Sequence, residues 1–400
     1  MLDAIDGIVP GTIVEPQTTE GVAATLAWAS RQRLSVVIRG GGTKTRWGWI
    51  PARIDVLLSV RALNRIVSHR HGDLTVTVEA GASLHDLNQA LSVHGQWLPL
   101  DPPFADRATI GGLLATNDSG PRRHRFGTPR DLVIGVQLAT TDGRLCKSGG
   151  QVVKNVAGYD LSKLISGSFG QLAAIVSATF KLSPLPAASG TLVIERLDPG
   201  SLSLVVNAVL ASQLEPSAFE IHAWHAPSGG EKKTTSLIRF ESLRDVVDAE
   251  IAAARARIGA VHSAIDVVTG EAEQGVWRQH TSSVWQGPGA VVRASWLPAD
   301  LPEIIALMPQ ISGGCTVEMI GRVGIGAGLI RVDGPPAHQA EMIVRLRAEP
   351  RLDNVVVVRA GTELKTKVDV WGTVPNRVLT ESIRSALDPH GTLGAGRGPL

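Results

Sequence analysis

The 400-residue sequence predicts an α+β protein made of two unlike folding units and a returning tail. The first observation behind this is a set of three glycine-rich segments: Arg39–Lys44, Thr109–Gly120 and Gly149–Gly170. The second is a proline-bounded linker, Pro184–Gly190. Beyond it strand-like and helix-like periods alternate, and each half of the region from Thr191 to Val358 approximates βαββαβ. The third is a helix, Pro375–Leu387, that runs into an extended glycine-rich loop, Leu387–Arg397. The expected boundaries are 1–186 for the glycine-loop domain, 187–372 for an antiparallel-sheet domain, and 373–400 for a tail that folds back on the first.

Ile13-Val14-Glu15-Pro16 reads as a short strand stopped by its proline. Thr18 or Thr19 caps a helix to about Gln32, with Val22, Leu26 and Ala29 on one face. The buried strand Ser35–Ile38 then delivers Arg39-Gly40-Gly41-Gly42-Thr43-Lys44-Thr45. Successive glycines can turn their N–H groups into one concavity that receives an anion, and Thr43, Lys44 and Thr45 add hydroxyls and a charge. The same residues also suit a plain turn; neither the Walker pattern nor GxGxxG opening a long helix is present. Strands are expected at Asp55–Leu58 and Leu74–Glu79, and a helix at Ser83–His94 with Leu84, Leu87 and Leu91 on its apolar side. Leu98–Pro103 is a stiff extended loop, and Thr109 opens a helix whose first turn holds Gly111 and Gly112. Pro121–Asp131 is a basic loop, either solvated or a rim for an anionic partner. Leu132–Thr140 and Arg144–Lys147 form a hairpin through Asp142-Gly143. Gly149–Gly170 then reads as loop, short helix and loop, feeding a buried strand from Leu172 to Lys181.

In the second half, strands are expected at Thr191–Leu197, Ala218–Trp224, Ser236–Phe240, Val261–Val268, Ala290–Trp296, Thr316–Met319, Gly328–Val332 and Asn354–Val358. Helices fall at Ser201–Gln213, Leu243–Arg257, Glu271–Gln279, Leu301–Met308 and Pro336–Ala348. Two ferredoxin-like units, or one large antiparallel sheet with helices on one face, satisfy this order. Gly324–Gly328 lacks the spacing of a nucleotide fingerprint and reads as a turn.

Composition excludes several classes. A formal net charge of +2 leaves no global basic footprint for nucleic acid. Cys146 and Cys315 have no CxxC partner, which argues against iron–sulfur, structural zinc and a disulfide framework. No apolar run approaches 18 residues, and Met1–Asp6 carries acids where a signal peptide carries bases, so a cytoplasmic location is expected.

Taken in order, Arg39-Gly40-Gly41-Gly42-Thr43-Lys44, Pro102-Pro103, Thr109-Ile110-Gly111-Gly112, Asn117…Gly120-Pro121, Gly127…Arg130-Asp131, Lys154-Asn155-Val156-Ala157-Gly158-Tyr159-Asp160 and Gly167…Gly170 resemble a known set. It is similar to the FAD-binding domain of the vanillyl-alcohol oxidase / p-cresol methylhydroxylase superfamily. Gly120-Pro121-Arg122-Arg123 and Leu387-Asp388-Pro389…Gly396-Arg397 bring the resemblance nearest to the FAD-binding accessory subunits of bacterial glycolate oxidases. The resemblance implies a two-subdomain p-cresol methylhydroxylase-type FAD domain with a ferredoxin-like antiparallel substrate or cap domain. It also implies a cofactor site. Arg39, Gly40, Gly41, Gly42, Thr43 and Lys44 would meet the FAD pyrophosphate, and Pro103, Thr109, Gly111 and Gly112 would flank it. Asn117, Ser119 and Gly120 would lie on the ring side, Lys154, Asn155, Gly158, Tyr159 and Gly170 would wall the site, and Ile175 would approach the adenine. Some relatives attach FAD through a histidine in the first loop; Thr43 and no histidine stands here, so the FAD is expected to be non-covalent.

Catalytic relatives carry a histidine-rich segment after the substrate domain, whereas Arg359–Lys365 holds neither histidine nor paired acids. No residue is therefore assigned as catalytic. His222-x-x-His225 reads as strand and loop residues rather than a metal pair, and no metal is expected. The function implied is a subunit of a complex that oxidises glycolate or a similar small 2-hydroxy acid, passing hydride from the α-carbon to flavin N5 and electrons to a partner or quinone. A sister flavin catalytic subunit and an iron–sulfur subunit are the implied partners, with peripheral membrane association through them. A stand-alone FAD-dependent 2-hydroxy-acid or alcohol oxidase, and a non-catalytic scaffold retaining the fold, are the alternatives. Arg122, Arg123 and Arg125 are left to face substrate or partner.

Overall fold

The computed structural model describes residues 3–151, 158–227 and 233–399. Its contacts divide the chain into two units, the first comprising 1–120, 126–185 and 374–400 and the second 121–125 and 186–373.

The first unit begins with β1 (Thr12–Val14), α1 (Thr19–Arg31), β2 (Val36–Arg39) and β3 (Val56–Ser59), which form a three-stranded parallel sheet in the order β1-β3-β2. Thr18 caps α1 by accepting the Gly21 N–H at 3.1 Å. Val22, Leu26 and Ala29 on its inner face pack on Val36, Val56, Leu58, Ala174 and Val176. Each large aliphatic side chain so buried contributes about 1.5–3 kcal/mol. Next come β4 (Ile66–Arg70), β5 (Thr75–Glu79), α2 (Leu84–Ser92), β6 (Gln96–Trp97), α3 (Ile110–Thr116), α4 (Arg123–Phe126), α5 (Pro129–Leu132), β7 (Val133–Ala139), β8 (Leu145–Gly149), α6 (Leu161–Ile165), β9 (Ala174–Lys181) and β10 (Ser183–Pro184). Five of these strands make an antiparallel sheet in the order β4-β5-β9-β7-β8, covered by the apolar faces of α2 and α3. Its edge strand β4 went unread in the sequence because Ile66 and Val67 are exposed and show no buried alternation.

The second unit continues with β11 (Ala188–Ile194), α7 (Pro199–Leu210), β12 (Ala218–His225), β13 (Lys233–Ser242), α8 (Arg244–Gly259), β14 (Ile265–Val268) and α9 (Gly270–Ser283). It is completed by β15 (Ala290–Ser295), α10 (Leu301–Ile311), β16 (Thr316–Arg322), β17 (Ala327–Asp333), α11 (Pro336–Ala348), β18 (Asp353–Arg359) and α12 (Thr362–Lys367). The two βαββαβ repeats join edge to edge through β12 and β16 into one eight-stranded sheet, β14-β11-β13-β12-β16-β17-β15-β18. Each repeat keeps the ferredoxin-like strand order, and the two are joined in one continuous antiparallel sheet, but the expectation of helices on a single face does not hold.

Helices do not lie on one face only. Strand side chains alternate, so Gly190 meets Val247 and Ile251 of α8 while its neighbour Thr191 meets Trp277 of α9 on the other face. The basic segment Pro121–Arg125 groups with the second unit, because Arg122 forks onto Glu241 at 2.7 and 3.0 Å and Arg125 pairs with Glu215. Arg122 and Arg125 are thus paired within this unit, which weighs against the alternative of a rim open to an anionic partner.

The tail returns to the first unit as α13 (Arg377–Leu387) and an extended end. Leu393 is fully buried in the core under α1, and the Val36 N–H donates to the Thr392 carbonyl at 2.7 Å. No described helix is long and apolar enough to cross a membrane.

Candidate cofactor cleft

Strands β2 and β3 end side by side and deliver the first glycine segment at their carboxyl ends, where parallel sheets place their ligands. Arg39-Gly40-Gly41-Gly42 passes directly over the start of α3. A Cβ on Gly41 would lie 1.7 Å from the Arg107 carbonyl oxygen, so only glycine allows this approach. Thr109, at the cap position of α3, leaves its own helix uncapped; its hydroxyl faces the Gly41 N–H at 3.4 Å instead.

The loop turns its carbonyls to protein partners. Gly42 accepts the Thr45 hydroxyl at 3.0 Å, Lys44 accepts the Trp47 N–H at 3.1 Å, and Thr45 and Trp47 accept Arg397. Among the described residues, the N–H groups of Gly42, Thr43, Lys44 and Thr45 have no acceptor. Consecutive donors left open in this way form an anion-receiving concavity.

These residues line one cleft that opens to solvent and encloses, with that open space, about 840 Å³. Arg39, Gly40, Gly41, Gly42, Thr43, Lys44, Thr109, Gly111, Gly112, Gly170 and Ile175 meet there. Apolar walls come from Ile38, Val60, Ala115, Phe169, Ala173 and Ile175. No carboxylate lies among the described lining residues. The ammonium of Lys44 is already engaged, 3.2 Å from Asp118 and 3.3 Å from the Thr43 hydroxyl. Its charge is therefore largely neutralised, and anion binding falls to the backbone donors. A long ligand with a dianionic centre and flat apolar ends fits this arrangement, and FAD is such a molecule.

Other expected site residues are placed elsewhere. The Asn117 side chain accepts the Arg130 N–H at 3.1 Å, and Gly120 packs on the Asp101 carbonyl. Pro103 and Ser119 do not line the cleft. Gly158 and Tyr159 lie just before α6, away from the cleft, with Tyr159 92% exposed. Lys154 and Asn155 lie outside the described residues.

Trp47, Phe169, Arg397 and Gly398 also line the cleft, beyond the residues the sequence pointed to. Phe169 has φ of +54°, a costly conformation for a bulky residue, held where its ring lies 6.5 Å from Trp47. Its place between Gly167 and Gly170 was the available signal.

The second unit carries a contrasting group of charges on the α9 face of its sheet. Glu273 accepts from Ser189, Thr191 and Arg239 at 2.6, 2.7 and 3.0 Å. Glu220 holds His280 at 3.0 Å and Arg322 at 3.5 Å, while Glu318 holds His222 at 2.8 Å and Arg331 at 2.9 Å. Burial works to raise the Glu241 and Glu318 carboxyls, but the Arg122 fork on the first and the His222 and Arg331 contacts on the second leave both below the usual range. Burial pushes His280 down against the pull of Glu220. His222 is thus engaged by a carboxylate in the sheet.

Residues 10–149 match the family described as FAD binding domain. The chain is 28% identical over 422 residues to D-2-hydroxyglutarate dehydrogenase of Xanthomonas citri pv. viticola, covering 97% of this chain and 89% of that one. It is 35% identical over 210 residues to glycolate oxidase subunit GlcE of Escherichia coli, covering 51% of this chain and 58% of the relative. To glycolate oxidase subunit GlcD of Bacillus subtilis it is 31% identical over 212 residues, covering 53% and 45%. The chain therefore spans about half the length of the glycolate oxidase subunits it matches. In fold it is similar to alkyldihydroxyacetonephosphate synthase, with a TM-score of 0.69 at 18% identity over 95% of this chain and 76% of that one.

The FAD binding domain match marks the chain as an FAD-binding flavoprotein. Residues 10–149 thus match an FAD binding domain, and the chain is similar over its length to FAD-dependent oxidoreductases. Within them, its relatives are glycolate oxidase subunits and D-2-hydroxy-acid dehydrogenases.

Proposed function

We propose that this chain is the FAD-binding subunit of a complex that oxidises glycolate or a similar small 2-hydroxy acid to the 2-oxo acid, with electrons passing to a partner subunit or a quinone. The observation that carries the reading is the cleft whose N–H groups from Gly42 to Thr45 await an anion. Bound FAD would supply acceptance of a hydride from the substrate α-carbon. The residues of this chain hold and orient it. The backbone donors of Gly42–Thr45 neutralise the pyrophosphate without a metal, Thr109 keeps Gly41 against α3, and the walls formed by Ile38, Phe169 and Ile175 exclude water from the flat ends. These groups bind and position; they are not suited to moving the substrate's hydroxyl proton, which suits an accessory subunit beside a sister flavin subunit and an iron–sulfur subunit. The cofactor is held non-covalently, since no histidine or cysteine lies among the described lining residues.

The similarity to D-2-hydroxyglutarate dehydrogenase over 97% of the chain favours a second reading, a stand-alone dehydrogenase of a 2-hydroxy acid. Anaerobic titration of the flavin-loaded chain with glycolate and D-lactate separates the two. The subunit reading expects the flavin absorbance to persist in the isolated chain and to bleach once partner subunits are added. Bleaching of the isolated chain at catalytic rates would overturn it.

A further inference from the structure

The segment that follows α13 is tied to the first unit at several points. From Asp388 the tail is fastened at successive points. The Asp388 carboxylate accepts the N–H groups of Thr392 and Leu393 at 2.9 and 2.7 Å, and His390 meets the Ser30 hydroxyl at 3.1 Å. Thr392 takes the Val36 N–H, adding a parallel bridge alongside β2, the strand that delivers the glycine loop. The tail then turns through Ala395, whose φ is +50°, and reaches the cleft.

There it touches both walls. The guanidinium of Arg397 donates to the carbonyls of Thr45 and Trp47, the second at 2.9 Å, and the Arg397 carbonyl accepts the Trp49 N–H at 2.9 Å. Gly398 lies so close to Gln171 that a Cβ would fall 2.1 Å from its side chain, and Gln171 directly succeeds the Phe169-Gly170 wall. Arg397 and Gly398 themselves line the cleft. A trans peptide points its C=O and the next N–H to opposite sides. Holding the Thr45 and Trp47 carbonyls therefore fixes two peptide planes at the exit of the glycine loop. Arg397 is drawn down to about 10 by burial and keeps its charge at neutral pH.

We propose that the segment from Thr392 to Pro399 is a clasp on the cofactor cleft, docked more firmly when FAD is bound, and that Arg397 is the positioning residue that sets the glycine loop in its anion-receiving shape. This rests on the FAD reading above. The coupling is reciprocal by linkage: whatever the docked tail adds to FAD affinity, FAD adds to the docking of the tail. Arg397 contributes through carbonyls of the chain, and lysine, with one compact ammonium, cannot fork onto two of them in the same way.

The test uses the full chain stripped of flavin, with Arg397→Ala, Arg397→Lys and a truncation after Gly396. FAD affinity is read by quenching of flavin fluorescence, and tail docking by the rate at which carboxypeptidase releases the terminal residues with and without saturating FAD. The wild-type tail is expected to be cleaved at least about tenfold more slowly with FAD. Arg397→Ala and the truncation are expected to weaken FAD about ten- to a hundredfold, as for loss of charged hydrogen bonds, with little change in unfolding of the flavin-free chain. Arg397→Lys should recover part of the loss. If the wild-type chain binds FAD but its tail is cleaved equally fast in both states, or if Arg397→Ala binds FAD within twofold of wild type, the clasp is overturned and the FAD reading stands. If the wild-type chain binds no FAD, both fall. Should Arg397→Ala fail to fold, the protection of the wild-type tail and the affinity of Arg397→Lys decide in the same sense.

Discussion

The cofactor cleft of the first unit and the charged sheet face of the second treat polar groups in opposite ways. In the cleft, the N–H groups of Gly42, Thr43, Lys44 and Thr45 are left open and the one nearby ammonium, Lys44, is neutralised by Asp118. On the sheet face, Glu273, Glu220 and Glu318 are each met by arginine, histidine or hydroxyl partners inside the same unit. Gly42 is exposed and Thr43 and Thr45 are half-buried, so their N–H groups can meet water until an anion takes its place. Paired buried charges ask for nothing further, and they hold strands in register. The difference separates a receptor from a framework, although the second region is the richer in residues usually associated with catalysis.

The largest expected effect comes from breaking the framework. Glu273→Ala leaves Arg239 buried without its carboxylate and Ser189 and Thr191 without their acceptor. It should cost about 3–5 kcal/mol in denaturant unfolding, while FAD affinity of the folded fraction stays unchanged. Gly41→Val strikes the receptor. Its side chain would overlap the Arg107 carbonyl, displacing the loop at a cost of about 1–3 kcal/mol and lowering FAD affinity by more than about a hundredfold in a fluorescence titration.

A pH titration sharpens the contrast. The Glu241 carboxyl is held below its usual value of 4.5, so its contribution is fully present above that value and is lost as pH falls through the lower folded value. His280, lowered by burial from 6.5, acts in the same direction, since the unfolded chain takes up its proton first as pH drops. The second unit should thus lose stability with acid in the range below about pH 6.5. Arg122→Gln removes the fork on Glu241 and should move the carboxylate part of that loss to higher pH, at about 1–3 kcal/mol near neutrality, measured by unfolding at stepped pH. The smallest effect belongs to the double variant Lys44→Met with Asp118→Asn. It removes the ion pair and leaves the backbone donors, so FAD should weaken by less than about tenfold; a larger loss would return the anion site to the lysine.

How much of this could be read from the sequence depends on how local each signal was. The α1 helix announced itself through Thr18 and the spacing of Val22, Leu26 and Ala29, and the two βαββαβ repeats through alternating periods. The glycine segments were visible as segments. That Gly41 rests on Arg107, or that Thr109 gives up its cap to face Gly41, depends on contacts between residues some 68 positions apart that no local pattern records. Period two along Ala218–His225 places Glu220 and His222 on one face, yet the partners that neutralise them come from β16 and α9, strands and helices whose register only the folded sheet sets. Arg397 stood in a recognisable tail, but its hold on Thr45 and Trp47 spans 352 and 350 residues. Short α12 carried too few apolar positions to be read at all.

The account stands on the open N–H groups of the first glycine loop receiving FAD without a covalent bond. The most direct measurement is an equilibrium FAD titration of the flavin-free wild-type chain and of Gly41→Val, followed by acid precipitation. The account predicts one FAD bound per wild-type chain, all flavin released to the supernatant on precipitation, and binding lost in Gly41→Val. Flavin retained by the precipitate, no binding by the wild-type chain, or equal binding by the variant would contradict it.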